Sequence, residues 1–141
     1  MDDKKYPKFV VGSFILSPSG KLFLRTSPTI NNKFTCINGK VEWGKTIEET
    51  LKENVFKKTN LEIVKFELIG LTNGLNISIN DKGDVTHMIF ADYKVFVKDE
   101  TKYISDDPNR KYEWLTPREW LAKGKDSFGP YIYQVIEKLV N

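Results

Sequence analysis

The sequence predicts an α+β protein built on a central β-sheet, and three observations carry that prediction. Apolar runs of strand type, bounded by turn formers, fill the chain up to about residue 40 and again from residue 61 to residue 97. Between them, residues 46–60 carry the pattern of a capped, amphipathic helix. Two more helical segments close the chain, one after Thr116 and one from about Pro130 to Leu139. No repeat, low-complexity tract or linker breaks this order, so residues 1–141 are expected to form one domain.

From Lys8 to Arg25 the runs FVVGSFIL and KLFLR are separated by Ser17, Pro18, Ser19 and Gly20, which predicts a hairpin. Thr26 to Lys33 contains Pro28 and two asparagines without periodicity and reads as a loop. A short strand FTCI follows, and Gly39 is expected to begin a tight connection that ends at Gly44.

Thr46 can cap a helix while Glu49, three residues on, closes a capping box. Ile47, Leu51 and Val55 recur every four residues and give the helix one apolar stripe. Glu48–Lys52 and Glu53–Lys57 are Glu-before-Lys pairs four apart, each contributing about 0.2 to 0.5 kcal/mol on a helix surface. Asn60 suits a left-handed stop.

Beyond the helix, LEIVKFELIGLTNG, NISIN and DVTHMIFADYKVFV are strand-like, with a turn at Lys82 and Gly83. A polar loop from Lys98 to Asn109 leads into KYEWL. Thr116 then caps a helix with Pro117 at its first position.

Composition bounds the function. A net charge of +3 with 29% charged residues is too small to indicate nucleic acid or a membrane surface, and it leans only toward anionic ligands. No apolar run approaches the roughly 20 residues of a membrane span, and MDDKKYPKF lacks the apolar segment of a secretory signal, so a cytoplasmic protein is expected. One cysteine and one histidine cannot build a Cys/His zinc site. Any metal would need carboxylates.

The segment from Gly39 to Leu61, GKVEWGKTIEETLKENVFKKTNL, resembles the Nudix box of the MutT-like Nudix hydrolases, G-x5-E-x7-R-E-U-x-E-E-x-G-U with U aliphatic. Gly39 falls on the first glycine, and Val55 and Leu61 fall on the aliphatic positions. The flanking strands, the WLTPREWL segment and the closing helix follow the order of small Nudix proteins. The resemblance implies a mixed β-sheet sandwiched between helices (α/β/α). It also implies hydrolysis of a nucleoside diphosphate linked to another moiety, with Mg or Mn held by the glutamates of the box helix.

Those glutamates are replaced in this chain, so the box is degenerate. Lys45 stands at the first Glu, Glu53-Asn54 at Arg-Glu, Lys57-Lys58 at the Glu-Glu pair and Asn60 at the last glycine; Ile37-Asn38 stands where the family usually has Pro-Gly. Positions 54, 57 and 58 fall within an arc of roughly 100° on a helix and should face one groove. Carboxylates there would hold a hard divalent cation, whereas Asn54 is neutral and the two lysines repel one. On the helical wheel Glu49 and Glu53 face away from Lys58. Glu42, Asp92 and Asp84 remain as carboxylates able to approach the groove.

Three functional readings stay open. In the first, Asn54, Lys57 and Lys58, with Lys45 and Arg25, bind a nucleotide, nucleotide sugar or similar phosphorylated ligand with little or no catalysis. In the second, an active hydrolase uses Mg or Mn at an atypical site, with His87, Glu42 or Asp92 as its base. In the third, the fold serves as a protein-interaction scaffold. Each residue also has a plainer reading. Lysines in a last helical turn complement the helix dipole, a strand histidine is commonly structural, and Arg25 serves equally as a strand-end charge. Cys36 reads as a small core residue. Trp43 reads as packing, as a stacking surface or as a contact in a homodimer.

Overall fold

The computed structural model describes residues 6–79 and 85–140. The turn predicted at Lys82 and Gly83 and the carboxylate of Asp84 lie outside the described residues.

The sheet is organised by β1 (Lys8–Leu16), whose apolar residues occupy both parities and are therefore buried on both faces. Val11 and Ile15 face one core, Phe14 and Leu16 the other. After the turn β1 meets β2 (Leu22–Ser27) only at Ile15↔Phe23 and Leu16↔Leu22, and the two strands then diverge. The chain from Lys33 to Lys40 fills the opening between them. β3 (Lys33–Thr35) pairs antiparallel with β2, and β4 (Ile37–Lys40) pairs antiparallel with β1, with the buried Cys36 between the two.

The expected connection beginning at Gly39 is thus corrected: Gly39 is a strand residue opposite Val11, and the connection starts at Val41. Its lack of a side chain serves packing, because a Cβ there would overlap the Asn54 carboxamide of the next helix.

On its other edge β1 runs parallel to β6 (Val85–Val97), from Lys8↔Met88 to Leu16↔Phe96. β6 in turn pairs antiparallel with the long β5 (Ile63–Ile79), which has register shifts at Ile63/Lys65, Leu68/Gly70 and Leu75/Ile79. β7 (Tyr112–Leu115) adds to β2. Parallel and antiparallel pairings coexist, which makes the sheet mixed.

Helix α1 (Ile47–Thr59) covers one face. Thr46 and Glu49 form the full capping box, Glu49 N donating to Thr46 Oγ1 at 3.1 Å and Thr46 N to Glu49 Oε1 at 2.9 Å; Asn60 ends the helix at φ 63°. Leu51 and Val55 are fully buried against Val11, Ile15, Ala91 and Val95. Glu48 and Lys52 form their predicted pair at 2.8 Å, but Glu53 accepts from Lys45 at 2.7 Å rather than from Lys57. The backbone of the preceding loop brings Lys45 within reach, a tertiary contact that helical spacing does not encode.

The opposite face is covered by α2 (Pro117–Leu121), capped by Thr116 and Glu119, and by α3 (Ile132–Leu139). Trp120 fixes α2 to the sheet by donating its indole N–H to Leu22 O at 2.8 Å in the second core. α3 begins two residues after Pro130 because Tyr131 adopts φ 69°, outside the right-handed region. The sheet is therefore sandwiched as α/β/α. Among the described residues no helix is long and apolar enough to cross a membrane.

Candidate functional site

Two cavities meet at β4, one on each face of the sheet. The cavity on the α1 side has a volume of about 390 Å³, and Asn54, Lys57 and Lys58 all line it, so the spacing of these positions on the helix does bring them to one groove. Lys45 and Glu42 line it as well, both exposed. Glu53, read as facing away, also lines it: the ion pair with Lys45 draws its carboxylate toward the cavity rim.

The two adjacent lysines differ sharply. Lys57 is exposed, whereas Lys58 is half-buried and its ammonium donates to the main-chain carbonyl of Asn38 at 2.7 Å. Burial pushes the Lys58 pKa below its ordinary value; the nearby Arg25 charge pushes it the same way, and Asp106 opposes it. Asn54 lies flat over Gly39, and its Nδ2 has no hydrogen-bond partner among the described residues.

Arg25 lines neither cavity. It is 2% exposed on β2 and donates from Nη1 to Asp106 Oδ1 at 2.6 Å. The loop carrying Asp106 docks on the end of α1, where Asp106 N donates to Lys58 O at 3.2 Å and Ile104 N to Thr59 O at 3.0 Å, satisfying carbonyls the helix leaves open. Burial alone would raise the Asp106 pKa, but the Arg25 hydrogen bond and charge outweigh it and hold the carboxyl below the usual range. Arg25 therefore anchors this loop and adds positive potential behind Lys58.

His87 is exposed on β6 opposite Leu75 and lines neither cavity. Asp92 faces the second cavity, of about 430 Å³, on the α3 side of β4. It is 5% exposed and accepts from Thr72 Oγ1 at 2.8 Å; burial raises its pKa against that hydrogen bond. Cys36 lines the same cavity. Its thiol donates to Asn38 Oδ1 at 3.3 Å, and burial pushes its pKa up, followed by the negative charge of Asp92, so it is not a thiolate nucleophile.

Sequence reasoning missed the second cavity and the part played by Asn38. The available signal was the period-two series Met88, Phe90, Asp92, which places a carboxylate on a face that otherwise turns apolar groups inward.

No protein-family profile matches the sequence, and no curated protein matches it. Solved structures do. The chain superposes on a MutT protein from Bacillus halodurans with a TM-score of 0.71 at 20% identity, covering 95% of this chain and 83% of that one. A MutT Nudix hydrolase from Burkholderia pseudomallei gives 0.71 at 15% identity, covering 97% and 100%. A MutT protein from Methanosarcina mazei gives 0.69 at 18%, covering 97% and 96%. The chain has the fold of the MutT/Nudix hydrolases.

Proposed function

We propose that this Nudix-fold domain binds a nucleotide or nucleotide-sugar-like phosphorylated ligand through cationic side chains on the α1 side of β4, with little or no hydrolysis. The observation that carries the reading is the Lys58 ammonium held on the Asn38 carbonyl, beside Asn54 and Lys57 in one cavity. Four lysines and two glutamates line that cavity, and one of the glutamates is engaged by Lys45.

The donor set does not fit a hard divalent ion. An amide nitrogen and two ammonium groups stand where such an ion wants carboxylate oxygens. At an effective dielectric near 20, unit charges about 4 Å apart interact by roughly 4 kcal/mol, so each lysine facing a divalent ion costs several kcal/mol. Among the described residues no group of three or more His, Cys, Asp or Glu is placed to share a metal. The same groups suit a phosphate, which accepts charge-assisted hydrogen bonds from ammonium and amide donors.

Thermal stability measured across a panel of phosphorylated compounds tests the reading. A diphosphate compound is expected to raise the melting temperature, and Lys57→Met/Lys58→Met should abolish the rise. No shift from any compound, or a shift that survives the double substitution, would sink it. Metal-dependent release of monophosphate would establish the hydrolase reading in its place.

A further inference from the structure

The outer edge of a sheet is a row of unpaired N–H and C=O groups, and proteins guard it with charged side chains, proline or bulges. β5 ends this sheet, paired with β6 on one side and with no strand on the other among the described residues. Its first half is guarded. Register shifts fall at Ile63/Lys65 and Leu68/Gly70, and between them Lys65 and Glu67 form an ion pair at 3.1 Å.

The second half carries no such guard. From Leu68 to Asn80 the sequence holds no Lys, Arg, Asp, Glu or Pro. Within that run Gly70 to Leu75 pair with Asp92 to His87 without a register shift, so the side chains alternate regularly. Thr72 is buried on the α3 face, where its hydroxyl meets Asp92. Leu71, Asn73 and Leu75 therefore emerge on the α1 face, Leu71 directly opposite the core residue Ala91. Helix α1 does not cover them: Leu71 is 64% exposed and Leu75 55% exposed. Inward from the edge, Ile89 lies opposite Asn73 and the exposed Phe9 beside Ile89, so the apolar surface continues across three strands. A lone exposed leucine is ordinary, whereas an apolar row along an unguarded edge is a surface for strand pairing.

The symmetry of the row points to its occupant. Leu71 and Leu75 stand two residues on either side of Asn73, so an antiparallel copy of the strand centred there sets each Leu71 against the other copy's Leu75. Asn73 meets Asn73, and Thr72 meets Gly74, which leaves it room. No like charges face each other in this register, and a charged partner would find no counter-charge on this half of β5. We propose that two copies of this chain pair β5 to β5, antiparallel about a two-fold axis at Asn73, so that one sheet runs through the dimer. A contact this narrow belongs with the weaker interfaces, with a Kd on the order of micromolar.

Sedimentation equilibrium of the full chain over a wide concentration range tests the proposal, with substitutions at Asn73, an exposed residue that lines neither cavity. The wild type should pass from the mass of one chain to that of two as concentration rises. Asn73→Lys and Asn73→Asp each place like charges at the axis and should weaken the dimer at least roughly tenfold. An equimolar mixture of the two variants should restore it, because opposite charges then meet across the axis. That rescue also shows that both variants fold. Leu71→Ser/Leu75→Ser should weaken the dimer without adding charge. A wild type that stays monomeric throughout overturns the proposal, even if its edge captures an uncharged extended peptide instead. So does a dimer indifferent to either charge, or a mixture that associates no better than each variant alone.

Discussion

The two faces of β4 present opposite solutions to the burial of charge. On the α1 face cations are concentrated: burial and then the Arg25 charge push the Lys58 pKa down, with Asp106 pulling the other way. On the α3 face the carboxylate of Asp92 is buried, with the Thr72 hydroxyl as its donor and the charge of Lys138 nearby among the described residues. One face is lined by lysines and the other holds a buried carboxylate, although the same three strand residues line both. The difference teaches that the groove is polarised across one strand rather than charged uniformly.

The largest effect on this comparison is expected from the cationic side. Asp106→Ala leaves Arg25 buried without its carboxylate, and chemical denaturation should register a loss of about 2 to 3 kcal/mol, less than for a fully buried pair because Asp106 is 36% exposed. The pH dependence follows from the sign of the shift. Asp106 titrates below its ordinary value in the folded state, so its contribution is present above the unfolded carboxylate pKa and is lost as pH falls through the folded one. The gap between wild type and Asp106→Ala should therefore narrow in acid.

A smaller effect is expected where the strand touches α1. Gly39→Ala places a methyl group against the Asn54 carboxamide and should cost about 1 to 3 kcal/mol. Combining it with Asn54→Ala removes the overlap, so a double-mutant cycle by thermal denaturation should recover most of that loss. Purely additive costs would show that the two residues are not in contact.

The smallest effect, and one of opposite sign, belongs to Asp92. Its folded pKa is raised, so its contribution is fully present below the unfolded value and is lost as pH rises through the folded one. Asp92→Asn stays neutral, and its melting temperature relative to wild type should climb between acid and neutral pH. A difference that does not change with pH would remove Asp92 as the buried charge of this face.

What the sequence disclosed divides along the same lines. Thr46, Glu49, Leu51, Val55 and Asn60 act through neighbours within one or two helical turns, and their cap, stripe and stop are legible from spacing alone. The convergence of Asn54, Lys57 and Lys58 is legible for the same reason. Long-range geometry is not. Gly39 becomes a strand residue only because β1 diverges from β2 and leaves it a partner, and Glu53 turns to the cavity only because the loop delivers Lys45. Asp92 gains its setting from Gly12 on β1 and Thr72 on β5, at separations no local pattern reports. The reach of Arg25 to Asp106, 81 residues away, is equally invisible in spacing.

The proposed anion site on the α1 face is tested most directly by titrating inorganic pyrophosphate into the protein by calorimetry, once in EDTA and once in excess magnesium. Cationic capture predicts saturable binding in EDTA that weakens when magnesium competes for the ligand, and loss of that binding in Lys57→Met/Lys58→Met. Binding that appears only with magnesium, or that persists without both lysines, would contradict the account.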